Sequence, residues 1–317
     1  MGWLDKIRRS HRESGLLAVG IEAGSIQFAH VDRPRGGRPT VTRWAMLERA
    51  DAEREELPAL QRAVREQGLG KCDCTTLLAP AEYQMLLVDA PTVPREELRA
   101  AIRWRIKDLL DYHVDDATVD VLEIPAADSV GTKARSMYAL AAKNEVVQQR
   151  IGMFEEAGID LRVIDVPEMA QRNVAALFEH TEGATAMVAF GDWGGLLTIS
   201  ARGELLLARR LEVTWGQLAR EEHRPHYFER VTTELKRSLD IFERQYQSTP
   251  VQELLLAPTP EATGLDLHLA GVLYVPVRQI DLSDALEFPE GRIPTPAQAW
   301  QLFHLIGAAL RVEEKSL

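Results

Sequence analysis

Residues 187–199 read MVAFGDWGGLLTI. Two apolar runs meet at a tip that carries one carboxylate, Asp192, and three glycines, Gly191, Gly194 and Gly195. Short apolar runs bounded by Gly and Asp read as the two strands of a hairpin. A tight hairpin turn needs one or two such glycines. A loop whose backbone N–H groups face a phosphate uses them all, because glycine lets the chain approach an anion with no Cβ in the way. A similar place lies nearer the start. Residues 16–32, LLAVGIEAGSIQFAHVD, read as a hairpin whose tip is Glu22-Ala23-Gly24-Ser25.

Composition narrows what surrounds these tips. A chain of 317 residues, 45% hydrophobic and 27% charged, predicts two domains or one larger α/β unit with lobes. Its net charge of −11 argues against a broad nucleic-acid surface, which draws on clustered Lys and Arg. The only cysteines, Cys72 and Cys74, are one residue apart. They cannot easily bridge each other, which suits a reducing compartment. No second Cys or His pair stands at ligand spacing, so no metal site is expected. No apolar run approaches the roughly 20 residues of a membrane span. The opening MGWLDKIRRSHR lacks the apolar stretch of a signal peptide. It is a short basic amphipathic segment, read either as a solvated start or as a weak membrane-surface contact.

Between and beyond the tips the pattern alternates. A strand is expected at 41–46, a surface helix within 50–69 closed by Gly68, and short strands at 75–79 and 83–88. Pro94, Glu96 and Glu97 open a helix whose apolar stripe is Leu98, Ile102, Ile106 and Leu109. Trp104 lies off that stripe. Its plain reading is packing against a neighbouring lobe, and an exposed partner-binding aromatic is the other. Strands at 118–124 and 136–142 flank a polar loop, and Asn144 is placed to cap a helix that ends at Gly158. A strand (161–164) and a helix (167–178) precede the second hairpin. After it come a strand at 203–213, a long helix near 225–247 and strands at 253–257 and 272–277. A final helix opens at Thr295-Pro296. The mixture argues α/β, without clean βαβ alternation at the hairpins. His223 and His226 read as solvated loop histidines, and DYHVDD (111–116) as a solvated turn. Neither a nucleophile elbow nor a P-loop is present.

Two glycine-bearing acidic hairpins, one in each half, resemble the phosphate loops of the actin-like ATPase (ribonuclease H-like) fold. More specifically, EYQMLLVDAP (82–91) and VPREELRAAIRWRIKDLLDYHVDDATVDVLEIP (93–125) resemble the PilM/MshI branch of type IV pilus assembly proteins. The spacing of Tyr83, Pro91, Pro94, Glu97 and Trp104 carries this, with the Asp115–Asp120 acid cluster and Pro125. VIDVPEMAQRN (163–173) and WQLFHLIGAALR (300–311) also fit. The resemblance implies a two-lobed α/β fold with a subdomain inserted in the first lobe. Its expected divisions are a basic segment (1–14), a first lobe (15–180, insert about 91–158, completed by a helix at 295–312) and a second lobe (184–294).

The resemblance also assigns site residues. Glu22, Gly24, Asp192, Gly194 and Thr198 stand at the two phosphate loops, where Mg-ATP would sit. Three departures weaken that pocket. Glu22 replaces the family's Asp, Ala29 stands where a phosphate-directed Lys is usual, and Ala257-Pro258-Thr259-Pro260 replaces the adjacent glycines of the adenosine loop. Prolines fix φ and remove N–H donors. These departures bring the MSHA-pilus member closer than the general one. The implied function is a scaffold with no catalytic residues and no metal of its own, cytoplasmic and peripheral at the inner membrane through its partners. It would hold the cytoplasmic N-terminal tail of a PilN-like bitopic membrane protein, in a groove between the first lobe and the insert, and contact other platform proteins. A working ATPase or ATP-gated switch is the alternative, and a sugar-kinase-like enzyme finds no acid–base candidate.

Overall fold

The structure is a computed structural model and describes residues 13–312 except 23, 35, 49–54 and 126–135. The polar loop expected at 125–135 and the basic start fall almost wholly outside the described residues.

The first hairpin joins β1 (Leu16–Glu22) to β2 (Ser25–Asp32), with β3 (Thr40–Glu48) antiparallel on the far side. β4 (Asp73–Leu77) runs parallel to β1, and β8 (Asp160–Asp165) parallel to β4. This gives a sheet of order β3-β2-β1-β4-β8. The second hairpin starts the same plan again. β9 (Ala184–Gly191), β10 (Gly194–Ala201) and β11 (Glu204–Leu211) are antiparallel, and β12 (Val251–Leu256) and β13 (Val277–Gln279) follow in parallel. The order is β11-β10-β9-β12-β13, so each half of the chain builds one sheet with three antiparallel strands and two parallel ones.

Side-chain alternation shows why both sheets are interior. In β1, Leu17 and Val19 face one core while Ala18 faces another, and all three are buried. A strand with two apolar faces must be covered on both. On the outer face of the first sheet lie α1 (Glu56–Gln67), ended by Gly68 at φ 66°, and α3 (Asn144–Glu156), which inserts Phe154. On the outer face of the second lie α5 (Trp215–Ala219), α6 (Arg224–Gln245) and α7 (Leu265–Val272). α6 buries Phe228, Val231, Leu235, Leu239 and Phe242, the spacing of one helical stripe. Between the sheets, in one shared core, run α4 (Pro167–Ala175) and α8 (Pro296–Ala309). α8 opens with a Thr295–Gln298 capping box and lies against β1, β2 and β4. The shared core is rich in alanine, including Ala18, Ala29, Ala170, Ala189 and Ala308, so helices and sheets approach closely.

The insert is a three-stranded antiparallel sheet of order β5-β7-β6, from β5 (Tyr83–Asp89), β6 (Ala117–Glu123) and β7 (Ser136–Lys143). α2 (Leu98–Ile106) covers one face with Leu98, Ile102 and Ile106. Set beside the expected range of 91–158, this sheet starts earlier, at Tyr83, and ends at Lys143, after which α3 returns to the first lobe. No helix among the described residues is long and apolar enough to cross a membrane.

Four local readings need correction. Trp104 is not packed on a lobe; it is 73% exposed, with Lys107 Nζ 5.4 Å from its ring. Leu109 lies beyond the last turn of α2 and is also exposed. Asn144 does not cap α3. Its Oδ1 accepts from Thr118 Oγ1 at 2.8 Å and its Nδ2 donates to the Asp115 carbonyl at 3.0 Å, tying α3 to β6 and the turn before it. The expected strand at 272–277 is instead the end of α7 and a loop, and β13 begins only at Val277.

Candidate functional site: an inter-lobe cleft and the groove beside it

The two hairpin tips face each other across a cleft of about 510 Å³. Glu22 and Gln27 line one wall, Asp192 and Trp193 the other, and Trp300 and His304 of α8 also line it. Ala257 and Pro258, after β12, complete it.

The glycines of the second tip have packing partners. The turn residues are Asp192 and Trp193, since Gly191 pairs with Gly194. The Trp193 indole folds back so that a Cβ on Gly191 would lie 2.9 Å from Nε1. Gly194 takes φ +125°, and a Cβ there would meet the Leu211 carbonyl at 2.6 Å. A Cβ on Gly195 would strike the Phe190 ring at 2.8 Å. Each glycine is therefore required by a neighbour within the protein.

Of the five residues assigned from the sequence, Glu22 and Asp192 line the cleft. Gly24 sits at the first tip with φ +97° and open space where a Cβ would be. Gly194 packs on β11. Thr198 is fully buried and its Oγ1 accepts from Gln171 Nε2 at 2.9 Å, inside the second lobe. Ala29 is buried in the core shared with α8 and is not among the cleft-lining residues.

Electrostatics follow from this lining. Partial burial, and then the Asp192 charge, raises the Glu22 pKa above its ordinary value. Arg150 is the one Lys or Arg among the described lining residues. It binds Glu82 through both carboxylate oxygens, at 2.9 and 3.0 Å, so its charge is already matched. His304 is neutral, because burial lowers its pKa to about 4. Its Nε2 lies 3.3 Å from Gln171 Oε1, while Gln171 Nε2 reaches the Met187 and Leu196 carbonyls as well as Thr198. With Nε2 protonated, His304 donates to Gln171 and the chain of buried polar groups is continuous.

A pH effect follows. The folded protein holds His304 neutral down to about pH 4, whereas an unfolded histidine takes a proton near pH 6.5. Stability therefore falls as pH drops from 6.5 towards 4, by about 2 kcal/mol at pH 5 from this residue alone. His304→Gln should flatten that part of a urea-stability profile; an unchanged slope would rule the assignment out.

Beside the cleft lies a second concavity of about 390 Å³. β5 of the insert and β11 of the second lobe, both edge strands, form its sides. Glu168, on α4, is on its floor and 2% exposed. The Tyr83 hydroxyl donates to Glu168 Oε2, and Arg210 Nη2 reaches Oε1 at 3.3 Å. Arg210 also stacks 4.8 Å over the Tyr83 ring and donates to the Pro80 carbonyl at 2.7 Å. Burial, then the Glu168 charge, pushes the Tyr83 phenol pKa up, so it stays a donor. One carboxylate thus clasps the insert, the central helix α4 and the second lobe. A further stitch runs from the Ala208 N–H to the Tyr138 hydroxyl at 2.9 Å. The expected groove lay between the first lobe and the insert; this one is walled by the insert and the second lobe, with α4 beneath.

No family model and no curated protein matches the chain. Among solved structures, a PilM-PilN type IV pilus biogenesis complex matches with a TM-score of 0.68 at 20% identity, over 93% of this chain and 96% of that one. The chain has the actin-like fold. Weaker likenesses include a Bacteroides thetaiotaomicron protein with an actin-like ATPase fold (TM-score 0.47, 12% identity, 94% and 98% covered). The cytoplasmic domain of EpsL, an inner-membrane component of the type II secretion system of Vibrio cholerae, is another (0.46, 12%, 92% and 95%). The cleft lies between the two hairpin tips, where the resemblance drawn from the sequence expects the phosphate loops.

Sequence reasoning missed Trp193, His304, Gln171 and the Tyr83–Glu168–Arg210 clasp. Trp193 had a signal: a bulky aromatic sits inside the tip sequence itself. The clasp had none, because its members lie on three separate elements.

Proposed function

We propose that this chain is a scaffold of a type IV pilus assembly platform, of the MSHA-like kind, at the cytoplasmic face of the inner membrane. It holds the N-terminal cytoplasmic tail of a PilN-like bitopic membrane protein and contacts other platform proteins. The observation that carries this reading is the likeness, over nearly the whole chain, to a PilM-PilN complex, combined with an open groove beside the insert. An extended tail suits that groove, because two strand edges offer backbone donors and acceptors along it. The central cleft is a degenerate nucleotide site. Two carboxylates face each other there, the one lining arginine is paired to Glu82, an indole covers Gly191, and Pro258 stands in the adenosine loop. These residues do not fit a triphosphate.

The test is calorimetry on the full chain with a synthetic peptide of the N-terminal cytoplasmic tail of a PilN-like membrane protein. One peptide should bind per chain, and Arg209→Glu on the groove wall should weaken it at least 10-fold. No heat with the peptide would remove the scaffold reading. Millimolar Mg-ATP should give no heat; tight binding lost in Asp192→Ala would favour the ATP-gated alternative.

A further inference from the structure

The first sheet carries a cluster of ligating atoms outside the cleft lining and outside the groove. Glu13 lies just ahead of β1, His30 on β2 and Cys72 in the turn before β4. One donor atom from each lies within 4.8 Å of the others. His30 and Cys72 are 3% and 1% exposed, and Glu13 stands at the surface.

The histidine is incompletely satisfied. Its Nδ1 is 2.6 Å from Thr42 Oγ1, whereas its Nε2 is buried with no hydrogen-bond partner. The Ser14 backbone also interacts with this ring without meeting hydrogen-bond geometry at Nε2, and a buried polar atom left so is costly, so a ligand there would be favourable. Nitrogen, sulfur and carboxylate oxygen together suit Zn²⁺, with water as the fourth ligand; they do not suit Mg²⁺ or Ca²⁺, which take oxygen.

Arg43 is the competing group. Its Nη2 pairs with Glu13 and lies 3.3 Å from Cys72 Sγ, while its Nη1 donates to the Gln67 carbonyl at 3.1 Å. Burial, and then the Arg43 charge, lowers the His30 pKa, opposed by Glu13, Asp32 and the Ser14 backbone. Tetrahedral zinc places its ligand atoms about 3.4 Å apart, so the cluster must close by up to about 1.4 Å. Glu13, at the exposed end, is the member with room to do so. Arg43 can release Nη2 and keep its hold on Gln67.

We propose that Glu13, His30 and Cys72 form a site for a thiophilic divalent cation of the Zn²⁺ class. On binding, the Cys72 thiol gives its proton to solvent and the thiolate and carboxylate balance the metal's charge. The bound cation pins the entry of β1 to β2 and to the turn before β4.

The test uses the untagged full chain, with Co²⁺ as the spectroscopic probe and Zn²⁺ measured against a competing chelator. One equivalent of Co²⁺ should produce a thiolate-to-metal absorption band that Cys72→Ser abolishes and Cys74→Ala keeps. Glu13→Gln, at the exposed end where the fold is not at stake, and His30→Gln should each weaken Zn²⁺ at least 10-fold. Arg43→Gln should tighten it. Absence of the band, a band that survives Cys72→Ser, or unchanged Zn²⁺ affinity in Glu13→Gln and His30→Gln would overturn the site.

Discussion

Gly307→Ala is expected to lower the unfolding free energy by about 4 kcal/mol, far more than one added methyl usually costs. Gly307 sits in α8 where that helix crosses α4. A Cβ there would lie 2.2 Å from the Ala170 carbonyl oxygen and 2.7 Å from its carbon. Both atoms are backbone, so no side chain can swing aside and the two helices must part. The Asn173 Nδ2 donates to the Gly307 carbonyl at 2.9 Å, and parting the helices stretches that bond too. The control is Gly152→Ala in α3, where nothing lies within 4 Å of the new Cβ. That change should be neutral or slightly stabilising, because alanine is the better helix former. Urea unfolding followed by tryptophan fluorescence reads both, and equal midpoints for the two variants would refute the crossing as the tight point of the fold.

Glu168→Ala comes next, at about 3 kcal/mol or more. Removing the carboxylate leaves a buried Tyr83 hydroxyl without its acceptor and Arg210 without its countercharge, the situation in which breaking a buried pair is most costly. Arg210 is 40% exposed at its side chain, so water recovers part of its share. Glu168→Gln keeps an acceptor for Tyr83 and should cost clearly less. Because the clasp joins three parts, the alanine variant should also loosen the insert, read as faster amide exchange in β5 and at Ala208. Exchange unchanged at both places would mean that Glu168 serves α4 alone.

Much of the architecture was readable from residue pattern. The stretch at 187–199 gave away a hairpin because apolar runs end at Gly191 and restart at Gly194. The stripe of α6 fixed its length within two residues at either end. The reason for the tip glycines was not readable. It depends on the Leu211 carbonyl and on the Phe190 and Trp193 rings, whose positions relative to the tip are set only once β11 pairs with β10. Residues 272–277 misled for a different reason: VLYVPV is a short apolar run of the kind a strand shows, yet it forms the end of α7 and a loop that leaves Tyr274 at the surface. Trp104 misled because burial is the usual fate of tryptophan, and α2 has only one covered face. In the cleft, Glu22 and Asp192 could be picked from their tips. The neutral His304 could not, since its state is imposed by burial, and Trp193 and Gln171 reach it from separate parts of the chain.

The position of α8 bears on the order in which the chain can be made and folded. The helix that covers the inner face of β1, β2 and β4 is encoded after the entire second lobe. While that lobe is being translated, on the order of ten seconds at usual elongation speeds, the first sheet waits with one apolar side bare. A nascent chain stalled before Thr295 should therefore recruit a holdase and stay protease-sensitive through β1–β4, whereas one released past Leu310 should not. Vectorial synthesis, often a help to multidomain proteins, here makes the earliest strands the last to be sealed.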